Sequence, residues 1–209
     1  MKVLAIGAHA DDVELGCGGT LLKWAAEGHE IVVHVVTDSA YGDPAGKPVR
    51  FATDAAQEAA AAAARLGARL SVGPFPCFGI ADTPSALGTS LAGLVRAERP
   101  DVVLTHWDGD SHADHRVVAQ ATRHAVRRVP TVLAYRSNWY PGGRAFDARV
   151  FVDISATLEE KLALIRLYAS ENGRTGGVWE AQVRREAESQ GYAHGVAAAE
   201  GFEAISVRL

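Results

Sequence analysis
The chain has 209 residues, 48% of them apolar and 22% charged, with a formal net charge of −4. That size and balance describe a soluble globular protein with one core of ordinary size. They exclude nucleic acid as a partner, since no basic cluster is visible, and a membrane span, since no apolar run reaches the roughly 18 residues that a bilayer requires.

Two cysteines, Cys17 and Cys77, are too few for a disulfide framework and are not spaced as a zinc pair. They read as reduced fillers of a cytoplasmic protein, with Cys17 the one placed to line a site. Met1–Gly7 resembles a signal segment superficially, but it runs into Ala8-His9-Ala10-Asp11-Asp12 with no small-residue cleavage site. It reads as a core strand.

In chain order, Val3–Gly7 is the first strand, and Cys17 to Gly28 is a helix with Leu21, Leu22, Ala25 and Ala26 on its apolar face. Ile31–Thr37 is the second strand. Ala55–Gly67 is an alanine-rich helix, followed by a short strand at Leu70–Val72. Gly73 to Asp82 alternates glycine, proline and aromatics and reads as a loop bordering a site. Ser85–Arg99 is a helix, Asp101–Thr105 a buried strand, Arg116–Val129 a helix, Thr131–Tyr135 a strand and Arg149–Ile154 an edge strand. Leu158–Ser170 is a strongly periodic helix, and Glu171 to Gly201 is polar, glycine-rich and weakly helical. No repeat or interdomain linker interrupts the series. Apolar strands alternating with helices predict a single α/β domain over 1–209, with a mostly parallel sheet flanked by helices.

Ligands of such sheets collect beyond the C-terminal ends of the strands. His9, Asp11 and Asp12 follow the first strand, and His106, Asp108, Asp110, His112, Asp114 and His115 follow Asp101–Thr105. If the two strands are neighbours, the clusters meet. His9 and Asp12 are three residues apart across a turn into a helix and can point to one side, with Asp11 turned elsewhere. His112 and His115 have the same spacing at a helix start. Two imidazoles and one carboxylate suit zinc and leave a position for water, and a spare carboxylate can take the water's proton. Such a site attacks carbonyl carbon, so amide or ester hydrolysis is the expected class. A dinucleotide reading of Gly16-Cys17-Gly18-Gly19 fails on spacing and on the acids that precede it.

Ala8-His9-Ala10-Asp11-Asp12 with Gly16-Cys17-Gly18-Gly19, together with Asp110-Ser111-His112-Ala113-Asp114-His115, resembles the paired motifs of the GlcNAc-PI de-N-acetylase (PIG-L, LmbE-like) family. Phe78-Gly79-Ile80-Ala81-Asp82, Val152-Asp153-Ile154-Ser155 with Lys161, Tyr168-Ala169-Ser170 and Ala199-Glu200-Gly201-Phe202 extend the resemblance over nearly the whole chain. It implies a Rossmann-like fold and zinc-dependent removal of an acetyl group from an amino sugar of the N-acetylglucosamine type. It further implies His9, Asp12 and His115 as zinc ligands and Asp11 as the general base. His112 would stabilise the oxyanion, with Asp114 orienting its ring and keeping it cationic.

The chain departs from the family pattern at four places. Ala10 and Ala113 replace prolines, Ala198 stands where a tyrosine is usual, and Ala55 where an arginine is usual, with Arg50 placed to substitute. These changes touch substrate holding more than chemistry, and leave open an amidase acting on another N-acyl metabolite, such as a thiol conjugate. Arg50, Asp82, Trp139 and His194 are the candidate substrate contacts. The expected partner is a small N-acetylated sugar or related metabolite, and self-association stays open.

Overall fold
The computed structural model describes residues 1–208. In chain order the elements are strand β1 (Lys2–Gly7), helix α1 (Asp12–Ala26), β2 (Glu30–Thr37), the short strands β3 (Tyr41–Gly42) and β4 (Pro48–Arg50), then α2 (Ala52–Leu66) and β5 (Arg69–Phe75). A 3₁₀ turn at Ile80–Asp82 leads to α3 (Pro84–Glu98), β6 (Val102–His106), α4 (Ala113–Ala125), β7 (Thr131–Tyr135) and β8 (Val150–Asp153). Helices α5 (Leu158–Arg166), α6 (Ala169–Arg174) and α7 (Trp179–Ala193) precede the final strand β9 (Ala199–Val207).

Seven strands form one sheet in the order β5-β2-β1-β6-β7-β9-β8. The first five are parallel neighbours, while β9 runs antiparallel to both β7 and β8. This is the expected α/β fold with a mostly parallel sheet. Side chains alternate along β1: Val3 and Ala5 join the core beneath α1, α2 and α5, whereas Leu4 and Ile6 join the one packed against α3 and α4. From β1 the chain winds outward through β2 to β5, then returns to β6 on the other side of β1. The boundary between β1 and β6 is thus the point where strand order reverses, and a crevice opens beyond the strand ends there.

Several elements differ from the sequence expectation. Helix α1 begins at Asp12 rather than Cys17, and Cys17 instead breaks it with φ −145°. The glycines explain the break. A Cβ on Gly16 would run into the Tyr135 ring, and one on Gly19 would lie 2.9 Å from Ile154. The break frees the N–H groups of Gly19 and Thr20, which donate to the Glu200 carboxylate at 2.9 and 2.7 Å. Lys161 Nζ completes this buried cluster, 2.5 Å from Glu200 and 2.7 Å from the Leu15 carbonyl.

The helix expected over Leu158–Ser170 is split into α5 and α6 at Tyr168, a fully buried ring whose ψ of 59° is not helical. The stretch from Glu171 to Gly201 holds a regular helix, α7, which buries Trp179, Val183, Ala187 and Gly191 at four-residue intervals. Strand β9 and the β3–β4 hairpin were not expected: β9 mixes Glu200, Gly201, Glu203 and Ser206 with its apolar residues, and β3 and β4 are only two and three residues long.

Candidate active site and metal centre
Strands β1 and β6 are hydrogen-bonded neighbours in register, Val3 opposite Val102 and Ala5 opposite Leu104, so the turns that follow them meet. The turn after β1 holds His9, Asp11 and Asp12. The loop after β6 holds Asp110, His112, Asp114 and His115.

His9 Nε2 lies 3.1 Å from Asp114 Oδ2, a carboxylate oxygen that also accepts from the Phe78 N–H at 2.7 Å. His115 Nδ1 lies 3.0 Å from Asp110 Oδ2. Each imidazole thus gives its outward N–H to a carboxylate and turns its other nitrogen inward, the arrangement that fixes the tautomer of metal-binding histidines. The inward atoms are close. His9 Nδ1 is 3.3 Å from Asp12 Oδ2, His115 Nε2 is 3.1 Å from Asp12 Oδ1, and the two nitrogens are 3.3 Å apart. Ser137 Oγ and the His9 N–H hold the Asp12 carboxylate at 2.9 and 2.7 Å.

Two lone pairs and a carboxylate this close require positive charge among them, either protons or a metal cation. Accordingly burial, which favours neutral imidazole, is overridden. Hydrogen bonds to Asp114 and Asp12 hold His9 well above the usual histidine range. Against the same burial, the Asp12 charge and the Asp110 hydrogen bond lift His115 to about 9. Burial likewise works against ionised Asp12, but the charge and hydrogen bond of His115 hold it well below the carboxylate range. Bonds of about 2.0–2.2 Å to a tetrahedral zinc separate the donors by about 3.3–3.6 Å. The inward atoms are near that spacing, so the donor set fits such an ion.

His106 adds a nearby imidazole, with Nε2 3.2 Å from Asp12 Oδ2. Its lone pair already accepts from the Ala8 N–H at 2.9 Å, so it braces the turn after β1. Burial holds its pKa down at about 4, which keeps it neutral.

Asp11 sits at the head of α1 with φ 131°, a conformation that costs a non-glycine residue about 1–3 kcal/mol. Ser39 and Phe78, also at positive φ, border the same crevice, whereas the other such residue, Arg99, caps α3. Burial, and then the Asp12 charge, push the Asp11 carboxyl well above its usual range. Arg50 opposes this, with Nη1 3.3 Å from Asp11 Oδ2 and 3.0 Å from the Ala10 carbonyl. Burial also lifts the neighbouring Glu14 to about 7.

His112 differs from its expected setting. Its Nδ1 accepts from the Asp114 backbone N–H at 3.2 Å, while the Asp114 carboxylate belongs to His9. Burial and the nearby His115 and His9 charges lower its pKa to about 4. The ring is therefore a neutral imidazole with its proton on Nε2, not a cation oriented by a carboxylate.

The crevice has a volume of about 890 Å³ and is bordered by His9, Asp11, Asp12, His112, His115 and Arg50, with Trp139 on its wall. Two expected substrate contacts lie elsewhere. Asp82 is exposed on the 3₁₀ turn, and His194 is exposed beyond α7, its ring 3.6 Å from that of Phe151. Arg50 is buried, with its guanidinium directed at Asp11, Ala10 and, at 2.9 Å, Glu58. Trp139 is anchored by Nε1 donating to Glu186 at 2.9 Å. Cys17 is fully buried with its S–H turned to the Val13 carbonyl, so Cys77, not Cys17, borders the site. Asp110 falls in the cluster that the sequence places after Asp101–Thr105, without a role there, while Ser137 and Glu171 carry no sequence signal.

Residues 4–126 match the family model described as GlcNAc-PI de-N-acetylase, PIG-L. The chain belongs to this family. An uncharacterized deacetylase of Escherichia coli K12, YaiS, is 32% identical over 80% of this chain and 90% of its own length. The diacetylchitobiose deacetylase of Thermococcus kodakarensis is 26% identical over 98% of this chain and 83% of its own. Among solved structures, the conserved protein TT1542 of Thermus thermophilus superposes with a TM-score of 0.81 at 28% identity, covering 99% of this chain and 96% of that one. A 4-carboxy-2-hydroxymuconate hydratase of Pseudomonas putida shares only the fold, at 21% identity, TM-score 0.78 and coverage of 100% and 97%. Family membership makes this PIG-L chain an amide hydrolase of the N-deacetylase class. None of the helices described is long and apolar enough to cross a membrane.

Proposed function
We propose that this PIG-L protein uses a divalent metal, zinc by ligand type, to hydrolyse the acetamide of an N-acetylated amino sugar or its glycoside. The observation that carries this reading is the convergence of His9 Nδ1, His115 Nε2 and the Asp12 carboxylate beside Asp11. These three would hold the ion. A diacetylchitobiose deacetylase among the relatives supports the sugar class. A crevice of about 890 Å³ lies in the upper part of the roughly 300–1,000 Å³ range of ligand sites, so it has room for a sugar carrying an aglycone.

When bound, the cation supplies Lewis acidity that polarises the acetyl carbonyl and acidifies water. Asp11 takes the proton of the attacking water as the new C–O bond forms. Its raised pKa suits a group that must accept a proton and then release it. Nε2–H of His112 donates to the carbonyl oxygen as negative charge grows there, and a neutral imidazole suffices for this. When the C–N bond breaks, Asp11 returns the proton to the departing amine nitrogen, giving acetate and a free amino sugar. Arg50 keeps the Asp11 carboxylate in place. The reading includes a reducing, cytoplasmic setting, consistent with two free cysteines.

The test is acetate release from a panel of N-acetylglucosamine, diacetylchitobiose and N-acetylglucosaminides, alongside metal analysis of the purified protein. Asp11→Asn is expected to retain metal and lose most turnover, and full activity in that variant removes Asp11 as the base. A protein that binds no divalent metal overturns the whole reading. A second reading, an amidase of a non-sugar N-acyl metabolite, draws on Ala198 replacing the usual tyrosine and on Arg50 being engaged by protein groups. Activity confined to non-sugar N-acyl compounds in the same assay would select it.

A further inference from the structure
His9 has two faces, and only one points toward Asp12 and His115. On the other face, Cys77 Sγ, a ring nitrogen of His9 and a carboxylate oxygen of Asp114 all lie within 4.8 Å of one another. Of the His9 nitrogens, Nε2 is the one directed at Asp114, 3.1 Å away. Cys77 is half-buried on the crevice wall and takes no part in the chemistry described above. Its backbone N–H donates to Asp38 Oδ1 at 3.2 Å, which ties the loop down.

We propose that Cys77, His9 Nε2 and Asp114 form a second metal site, selective for a thiophilic divalent cation such as Zn²⁺ or Cd²⁺, that shares the His9 imidazole with the first. Three considerations support it. A thiolate with an imidazole and a carboxylate is a donor set that soft and borderline cations prefer over magnesium or calcium. Bonds of about 2.3 Å to sulfur and about 2.0–2.1 Å to nitrogen need donors about 3.5 Å apart, a gap that rotation of the Cys77 side chain can close. The site also faces the crevice, so an ion can reach it from solvent. Binding is metathesis without redox change: the Cys77 thiol and the His9 ring each release a proton to solvent as the sulfur–metal and nitrogen–metal bonds form.

An ion there would draw Asp114 from its bond with His9 and lie close to the stacked rings of His112 and Phe78, whose centroids are 5.2 Å apart. The consequence is inhibition by excess metal. This consequence rests on the proposed role of His9 in the first site, but the binding itself does not.

Cadmium titration of the metal-stripped, full-length protein tests both. Wild type is expected to take up two equivalents per chain, one of them with a thiolate-to-cadmium charge-transfer band in the ultraviolet. Cys77→Ser is expected to take up one equivalent with no band. Cadmium should also protect Cys77 of folded wild type from iodoacetamide, read by peptide mass mapping, with buried Cys17 as the internal control. A single equivalent without the thiolate band in wild type, or two in Cys77→Ser, overturns the second site and leaves the first standing, whereas a single equivalent with the band overturns the first and leaves the second. Unprotected Cys77 at saturating cadmium overturns the second site as well. No uptake at all defeats both metal readings.

Discussion

Asp114 Oδ2 sits 3.1 Å from His9 Nε2, and this contact decides which His9 nitrogen is turned toward Asp12. Asp110 does the same for His115 at 3.0 Å. Replacing either carboxylate frees a ring and its tautomer without removing a proposed ligand of the first site. Asp114→Ala and Asp110→Ala should each weaken metal binding by roughly 10–100-fold. Isothermal titration with zinc reads the effect directly, and unchanged affinity in both variants would show that the carboxylates do not orient the ligands.

His112 is expected to act only as charge develops on the carbonyl oxygen. His112→Ala should lower kcat by about 10²–10³-fold with a smaller change in KM, as for loss of one oxyanion donor. Because the ring works as a neutral donor, His112→Gln should recover part of the rate. Steady-state kinetics of the two variants decide the matter, and a KM effect alone would assign His112 to substrate binding instead.

The backbone at Asp11 should respond in the reverse of the usual order. At most positions glycine is less stable than alanine by about 0.5–1 kcal/mol. At φ 131° the Cβ is the source of strain, so Asp11→Gly is expected to be more stable than Asp11→Ala by about 1 kcal/mol or more. Chemical denaturation of the metal-free variants measures this. An alanine variant as stable as the glycine one would mean that the turn relaxes.

His34 ties folding to pH away from the site. It is buried in β2 with Nδ1 3.0 Å from Ser71 Oγ, and burial lowers its pKa to about 4. The unfolded chain therefore binds the proton first. The stability tied to neutral His34 is fully present above pH about 6.5 and is lost as pH falls through about 4, an effect on the order of 3 kcal/mol. His34→Gln should flatten the pH dependence of unfolding between those limits, relative to wild type. An identical slope in the variant would assign the acid sensitivity to other groups.

The fold was legible where the chain repeats a simple rule. Val3–Gly7, Ile31–Thr37 and Asp101–Thr105 are mostly apolar runs, broken inside only by His34, and strands buried on both faces can be built of little else. The late region obscured its own rule. Helix α7 buries Trp179, Val183, Ala187 and Gly191 at regular spacing, but two of the four are small enough to pass for polar loop. Strand β9 carries Glu200, a buried acid that makes sense only with Lys161 and the freed N–H groups of Gly19 and Thr20, some 180 residues earlier in the chain.

Sequence alone determined which side chains are candidates for the proposed chemistry. His9, Asp11, Asp12, His112 and His115 are marked by residue type and by position at two strand ends, because the donor or basic character such chemistry needs resides in the side chain. Only the tertiary structure decided what each group faces. It gave Asp114 to His9 rather than to His112, turned Arg50 inward onto Asp11, left Asp82 and His194 outside the crevice, and set Cys77 beside His9. Tautomer, charge and orientation depend on neighbours brought together from distant parts of the chain, and no local pattern encodes that meeting.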